Sequence, residues 1–192
     1  SVALTVDDKV IPDRGDADLW RLARLRWLNS TIGLDDEVFE PFTPVEQEGS
    51  SVSILGRQVR FGTNGLFESI TSTFSRNVDR ADAEPRQLLA APMRFVVTPT
   101  GKTPILFQYG QPKVLEKSTG AVSWEATGQN GSVTLHCQAK MECDGYVNYH
   151  LTLEATEPVD LEDVRLELPF RRAMVPLMMG MGRKGGNRPS EW

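Results

Sequence analysis

The chain has two histidines, His136 and His150, both in a stretch where apolar and polar residues alternate. Histidine exchanges a proton near neutral pH, so two histidines with a carboxylate form a candidate acid–base site. Strand pairing over this stretch places His150 opposite Gln138 and His136 opposite Thr152, all on the outer face of a sheet. Glu125 and Glu154 share that face, but no spacing fixes either as the acid. The simpler reading makes both histidines solvent-facing sheet residues, and carbohydrate or domain contacts at most.

A second pattern, Gly180-x-Gly182-x-x-Gly185-Gly186, has the outline of a dinucleotide loop. That chemistry needs a strand before the glycines and a helix after them. Pro189 and the chain end stand where the helix belongs, so no nucleotide and no cofactor is expected. Residues 174–192 are expected to form an extended connector towards a downstream domain, loosely held when that domain is missing. Glycine weakens a strand, so residues 180–186 are not expected to form one. Met174, Met178, Met179 and Met181 supply the connector with apolar surface. Arg183, Lys184 and Arg188 suit a partner's carboxylates.

Cys137, Cys143 and His136 are too few for a tetrahedral metal centre, and no metal is expected. A strand segment of six residues spans about 20 Å, and a disulfide needs Cα atoms within about 7 Å. The two cysteines are therefore expected as free, buried thiols. Of the tryptophans, Trp124 is assigned to the core, Trp20 and Trp27 to one side of a helix, and Trp192 is a candidate carbohydrate contact. Arg14-Gly15-Asp16 matches an adhesion tripeptide only by chance. Asn29-Ser30-Thr31 and Asn130-Gly131-Ser132 fit the glycosylation pattern.

These residues must be held by a chain of 192 residues with 40% hydrophobic and 24% charged content, ordinary for one globular domain. The net charge of −5 argues against a nucleic-acid surface. No apolar run approaches the roughly 18 residues of a membrane span, and no signal peptide is visible at Ser1. A first residue other than Met suggests removal of an upstream segment.

Leu19, Leu22, Leu25 and Leu28, with Asp16 or Asp18 as cap, predict one short helix over 16–29. From Pro44 on the pattern predicts strands. Val52 and Ile54 face Val59 and Phe61 across a two-residue turn at Gly56-Arg57, and Asn64-Gly65 marks another turn. Asn77 to Arg86 reads as a loop, Leu88 to Thr98 and Ile105 to Tyr109 as strands. A turn at Asn130-Gly131 pairs Trp124 with Cys137 and Ala126 with Leu135. A three-residue loop, Cys143-Asp144-Gly145, pairs Met141 with Val147 and Ala139 with Tyr149. A two-residue turn there would set Met141 against Asn148 and mix the faces. Leu151 and Leu153, then Val164, Leu166 and Leu168, continue a meander with one buried and one wet face. The expectation is an all-β fold, an antiparallel two-layer β-sandwich with one short N-terminal helix, as a single domain over 1–192.

Several segments carry a family resemblance. They are residues 22–33 (Leu22 to Gly33), Asp35-Asp36-Glu37, the hairpin Ile54-Leu55-Gly56-Arg57, Asp144-Gly145-Tyr146, and Met179 through Gly186. In this order they resemble the N-terminal β-sandwich domain of bacterial glycoside hydrolase family 123 and its relatives. The resemblance implies a sandwich preceding a (β/α)8 barrel. It implies exo-removal of N-acetylgalactosamine assisted by the substrate's acetamido group, with the catalytic Asp-Glu pair on the barrel. No catalytic residue carries over to this chain. The resemblance also implies a secreted, periplasmic or cell-surface setting, and as partners a downstream catalytic domain and glycan. The leading expectation is a non-catalytic accessory domain of a carbohydrate-active protein that braces the barrel. The alternative is a mutarotase-like enzyme using His136 and His150, and a third reading is an adhesion or scaffold domain.

Overall fold

The computed structural model describes residues 3–6, 8–10, 35–180 and 182–189. The helix expected over 16–29, Trp20, Trp27 and Trp192 lie outside the described residues. The chain divides into two compact units, Ser1–Asp35 and Asp36–Trp192. Of the first unit, residues 3–6 and 8–10 are exposed and form no strand or helix.

The second unit is built from antiparallel strands. One sheet runs in the order β1 (Glu46–Glu48), β2 (Ser51–Ile54), β3 (Arg57–Phe61), β4 (Phe67–Ser72) and β5 (Arg86–Gln87). The facing sheet contains β7 (Gln108–Tyr109), β8 (Lys113–Lys117), β9 (Ala121–Asn130), β10 (Val133–Glu142) and β11 (Val147–Ala155), with β7 and β8 both pairing β9. Strict alternation along β9 and β10 buries Val122, Trp124, Ala126, Cys137, Ala139 and Met141. These residues meet Val52, Ile54, Val59, Phe61 and Phe67 of the first sheet in one core, the two-layer arrangement that the alternation requires.

Trp124 lies at the centre of that core. Its indole is fully buried and stacks on Phe61 with ring centroids 4.6 Å apart and planes 9° apart. Its Nε1–H donates to the carbonyl of Gly65 at 2.7 Å. Phe67 and Tyr149 close the cluster at 6.2 and 6.5 Å. Gly65 has φ 77°, and a Cβ there would lie 2.8 Å from Cys137 Sγ and 3.1 Å from Ala126 Cβ. The β3–β4 turn reaches the opposite sheet only because this residue lacks a side chain. Asn64 holds the turn from outside, donating to the Met93 carbonyl at 3.1 Å and accepting from Leu66 N at 3.0 Å.

Registers agree with the sequence in part. Met141 pairs with Val147, Ala139 with Tyr149, Gln138 with His150 and His136 with Thr152, as expected. Gly145, in the loop between β10 and β11, has φ 90°. Between β9 and β10 the expected register is corrected. Trp124 pairs with Ala139, Ala126 with Cys137 and Gly128 with Leu135, so the turn is Gly131-Ser132. Gly131 takes φ 57° at the first turn position, and the Asn130 amide is engaged elsewhere, donating to the Leu106 carbonyl at 2.8 Å. The first hairpin shifts likewise: Ile54 pairs with Arg57, so Leu55-Gly56 is the turn.

Three further expectations are corrected. The long strand from Leu88 shortens to β6 (Arg94–Pro99), because Pro92 offers no N–H to a ladder. Leu88 N and Met93 N instead donate to carbonyls of Ile70 and Phe67. The meander ends at β11: β12 (Leu161–Glu167) crosses to pair with β6, matching Val164 to Val97 and Leu166 to Phe95. The glycine run does form a strand. β13 (Leu177–Gly180) and β14 (Arg183–Asn187) make their own hairpin, with Gly180, Gly182, Gly185 and Gly186 at φ between 81° and 142°. The glycines supply backbone angles that other residues resist, and this outweighs their weak packing.

Both cysteines are free and buried, and burial pushes the Cys137 thiol from 9.0 up to about 12. The native protein is expected to resist a thiol reagent at pH 8 and to react at both cysteines once denatured. The folded state keeps the Cys137 proton between pH 9.0 and about 12 while the unfolded chain loses it, so stability should fall as pH rises through that window. Gly65→Ala should lower the urea midpoint by the equivalent of about 1–3 kcal/mol, the scale of forced backbone strain. Trp124→Ala should lower it by about 3–5 kcal/mol.

Candidate functional site

The outer face of the β8–β11 sheet gathers the polar residues whose inner neighbours form the core. Register sets them in transverse rows. One row is Glu116, Ser123, Lys140 and Asn148; the next is Lys113, Glu125, Gln138 and His150. Strands about 4.8 Å apart make each row about 14 Å long, and rows two residues apart stand about 7 Å from each other. Beyond the second row come Thr127, His136 and Thr152.

A groove of about 380 Å³ lies across the first two rows, lined by Leu115, Glu116, Ser123, Gln138, Asn148 and His150, with Lys140 on its border. The edge strand β8 shapes it. The register slips between Val114 and Glu116, which leaves Leu115 out of the ladder and partly exposed. Lys140 separates this groove from a second hollow of about 430 Å³ lined by Asp36, Lys117 and Ser118. A further hollow of about 460 Å³ is lined by residues including Pro104, Leu106 and Val133. Among its lining side chains only Lys102 carries a charge.

Lys140 is held from its far side. Its Nζ lies 2.7 Å from Asp36 Oδ1, and Ser118 Oγ donates to Asp36 Oδ2 at 3.2 Å. The backbone packs as tightly: a Cβ on Gly120 would fall 2.0 Å from the Asp36 carbonyl oxygen. The hydrogen bond from Lys140 holds the Asp36 carboxyl below its ordinary value, and the same bond raises Lys140.

The histidines differ in their surroundings. His136 lies 3.1 Å from Thr127 Oγ1 and 3.7 Å from Glu154, outside the groove. His150 lines the groove, is exposed, and has no hydrogen-bond or ion-pair partner among the described residues. The two therefore stand in different rows with no shared acid. Glu125 pairs with Lys113 at 3.8 Å. Lys184 is exposed in β14, Arg183 opens that strand, and Arg188 Nε donates to the Val175 carbonyl at 3.2 Å rather than standing free. Glu116 and Leu115 escaped the sequence reading because β8 has no alternating pattern. Gln138 opposite His150 was legible. Among the described residues no group of three or more His, Cys, Asp or Glu is placed to hold a metal ion. No described helix is long and apolar enough to cross a membrane.

Fold and groove together define a two-layer antiparallel β domain with a polar groove on the outer face of one sheet. Residues 45–192 match the family model described as "Glycoside hydrolase 123, third domain". The chain belongs to the glycoside hydrolase 123 family. Comparison with curated proteins gave no match.

Lys140→Met is expected to lower stability by about 0.2–1 kcal/mol near neutral pH, the range of partly exposed ion pairs. Asp36 has a depressed folded-state pKa, so the pair's contribution is present above its ordinary 3.8 and lost as pH falls below it. The wild-type and Lys140→Met urea midpoints should therefore converge on acidification. A gap that persists undiminished at pH 2 would show that the lysine acts by packing alone.

Proposed function

We propose that this chain is a non-catalytic accessory β-sandwich domain of a multidomain glycoside hydrolase, placed before a catalytic barrel of the same polypeptide and bracing it, outside the cytoplasm. The observation that carries the reading is the match of residues 45–192 to a region described as a third domain. A numbered domain is one part of a longer polypeptide.

The geometry supports the non-catalytic role. Glycoside hydrolysis uses two carboxyl groups about 5–10 Å apart across the scissile bond, one with a raised pKa so that it can donate a proton. Among the described residues the carboxyls with clearly displaced pKa values, Asp36 and Glu167, are both held down by neighbouring cations. Arg165 and Arg94 hydrogen-bond Glu167 on the exposed edge of the β6–β12 pair. The bracing role is supported by exposed apolar side chains: Val164, Leu166 and Leu168 on and after β12, and Leu177 and Met179 on β13. Apolar surface of that extent suits a neighbouring domain.

The isolated chain is expected to release no chromophore from aryl glycosides, aryl N-acetylgalactosaminide included, above the buffer rate. Turnover that disappears when one carboxylate of this chain is changed would overturn the proposal. Amides of Val164, Leu166 and residues 177–180 should exchange more slowly in the longer polypeptide than in the isolated chain. Equal exchange in both would remove the bracing role.

A further inference from the structure

We propose that the groove on the outer face of the β8–β11 sheet binds a neutral saccharide residue, with Gln138, Asn148 and His150 as its hydrogen-bonding groups. The inference rests on the reading of the chain as a domain of a carbohydrate-active protein, and adds a site and a ligand chemistry to it.

Three observations carry it. The first is convergence without satisfaction. Gln138, Asn148 and His150 project from adjacent strands into one groove of about 380 Å³, and none of the three side chains has a hydrogen-bond or ion-pair partner among the described residues. Several other polar side chains on this face are paired: His136 with Thr127 and Glu154, Lys113 with Glu125, Lys140 with Asp36. The groove gathers three whose hydrogen-bonding capacity is open to a ligand.

The second is chemical type. Each carboxamide offers two donors and an acceptor in one plane, and the imidazole offers one of each. Such planar groups match adjacent hydroxyls, which both donate and accept hydrogen bonds. Ser123 adds a hydroxyl to the floor. Partly exposed Leu115 supplies apolar surface for the C–H face of a ring.

The third is charge. Glu116 and Lys140 are the charged residues lining the groove, and they have opposite signs. An anionic ligand would meet Glu116 and a cationic one Lys140, whereas a neutral polyol meets no like charge. The long strands hold the rows in fixed register, so the site is preformed.

The test uses the 192-residue chain. Neutral methyl glycosides of hexoses and N-acetylhexosamines are titrated by calorimetry and by amide NMR, with glucuronic acid and glucosamine as charged counterparts. At least one neutral glycoside is expected to bind and to shift the amides of Gln138, Asn148 and His150. Gln138→Ala, Asn148→Ala and His150→Ala should each weaken binding about three- to tenfold, the scale of one lost hydrogen bond. These side chains are exposed, so the variants should keep the wild-type urea midpoint, and Lys140→Met is avoided because it disturbs Asp36. No binding by any neutral glycoside, tighter binding of a charged counterpart, or binding untouched by the triple alanine variant each overturns the inference. None of these outcomes touches the non-catalytic reading, which fails on turnover instead.

Discussion

The hydrogen bond from Trp124 to the Gly65 carbonyl, made inside the core at 2.7 Å, is the constraint on which the second unit depends. An indole N–H buried without an acceptor would oppose folding, so this bond and the stack on Phe61 must form together. They join the centre of β9 to the β3–β4 turn of the other sheet and set the depth of the sandwich. With that depth fixed, the residues beneath the turn must be small, which is why Ala126 and Cys137 face Gly65.

Filling the inner face in this way leaves the outer face of the same strands free for polar side chains. Because β9, β10 and β11 are nine or ten residues long, their outer residues fall into straight rows. A row on a sheet holds its groups more precisely than a loop does. The groove therefore inherits its order from the core beneath it. Its border is set by Asp36, which anchors Lys140, and by the slip in β8 that exposes Leu115.

The rest of the unit serves a different end. After β11 the chain leaves the meander, and β12 pairs with β6. Backbone bonds from Ala90 N to Pro169 O and from Arg171 N to Leu88 O tie this ribbon to the segment that borders β4. The apolar residues of β12 then fall outside the main core, and Leu177 and Met179 of the glycine-rich hairpin are exposed as well. One region of the unit thus offers hydrogen-bonding groups and another offers apolar surface, and the proposed ligand and the proposed neighbouring domain would use them separately.

By itself the sequence determined the all-β class, the buried Trp124, the free thiols, and the register of β10 against β11. That register was legible because the competing turn would have paired Met141 with Asn148, and a one-residue slip exchanges the faces of a strand. Between β9 and β10 the competing registers both pair apolar with apolar. Moving the turn by one residue shifts cross-strand partners by two and preserves the faces, so the choice fell to Gly131 and to the contact between Asn130 and Leu106, which is made only in the folded chain. Tertiary structure alone decided the partner of β12 and the presence of β8. β8 lacks a clean alternation, and the alternation of Val164, Leu166 and Leu168 marks a strand without marking which strand it pairs. The groove depends on β8, and so its polar rows were partly visible in the sequence while the hollow between them was not.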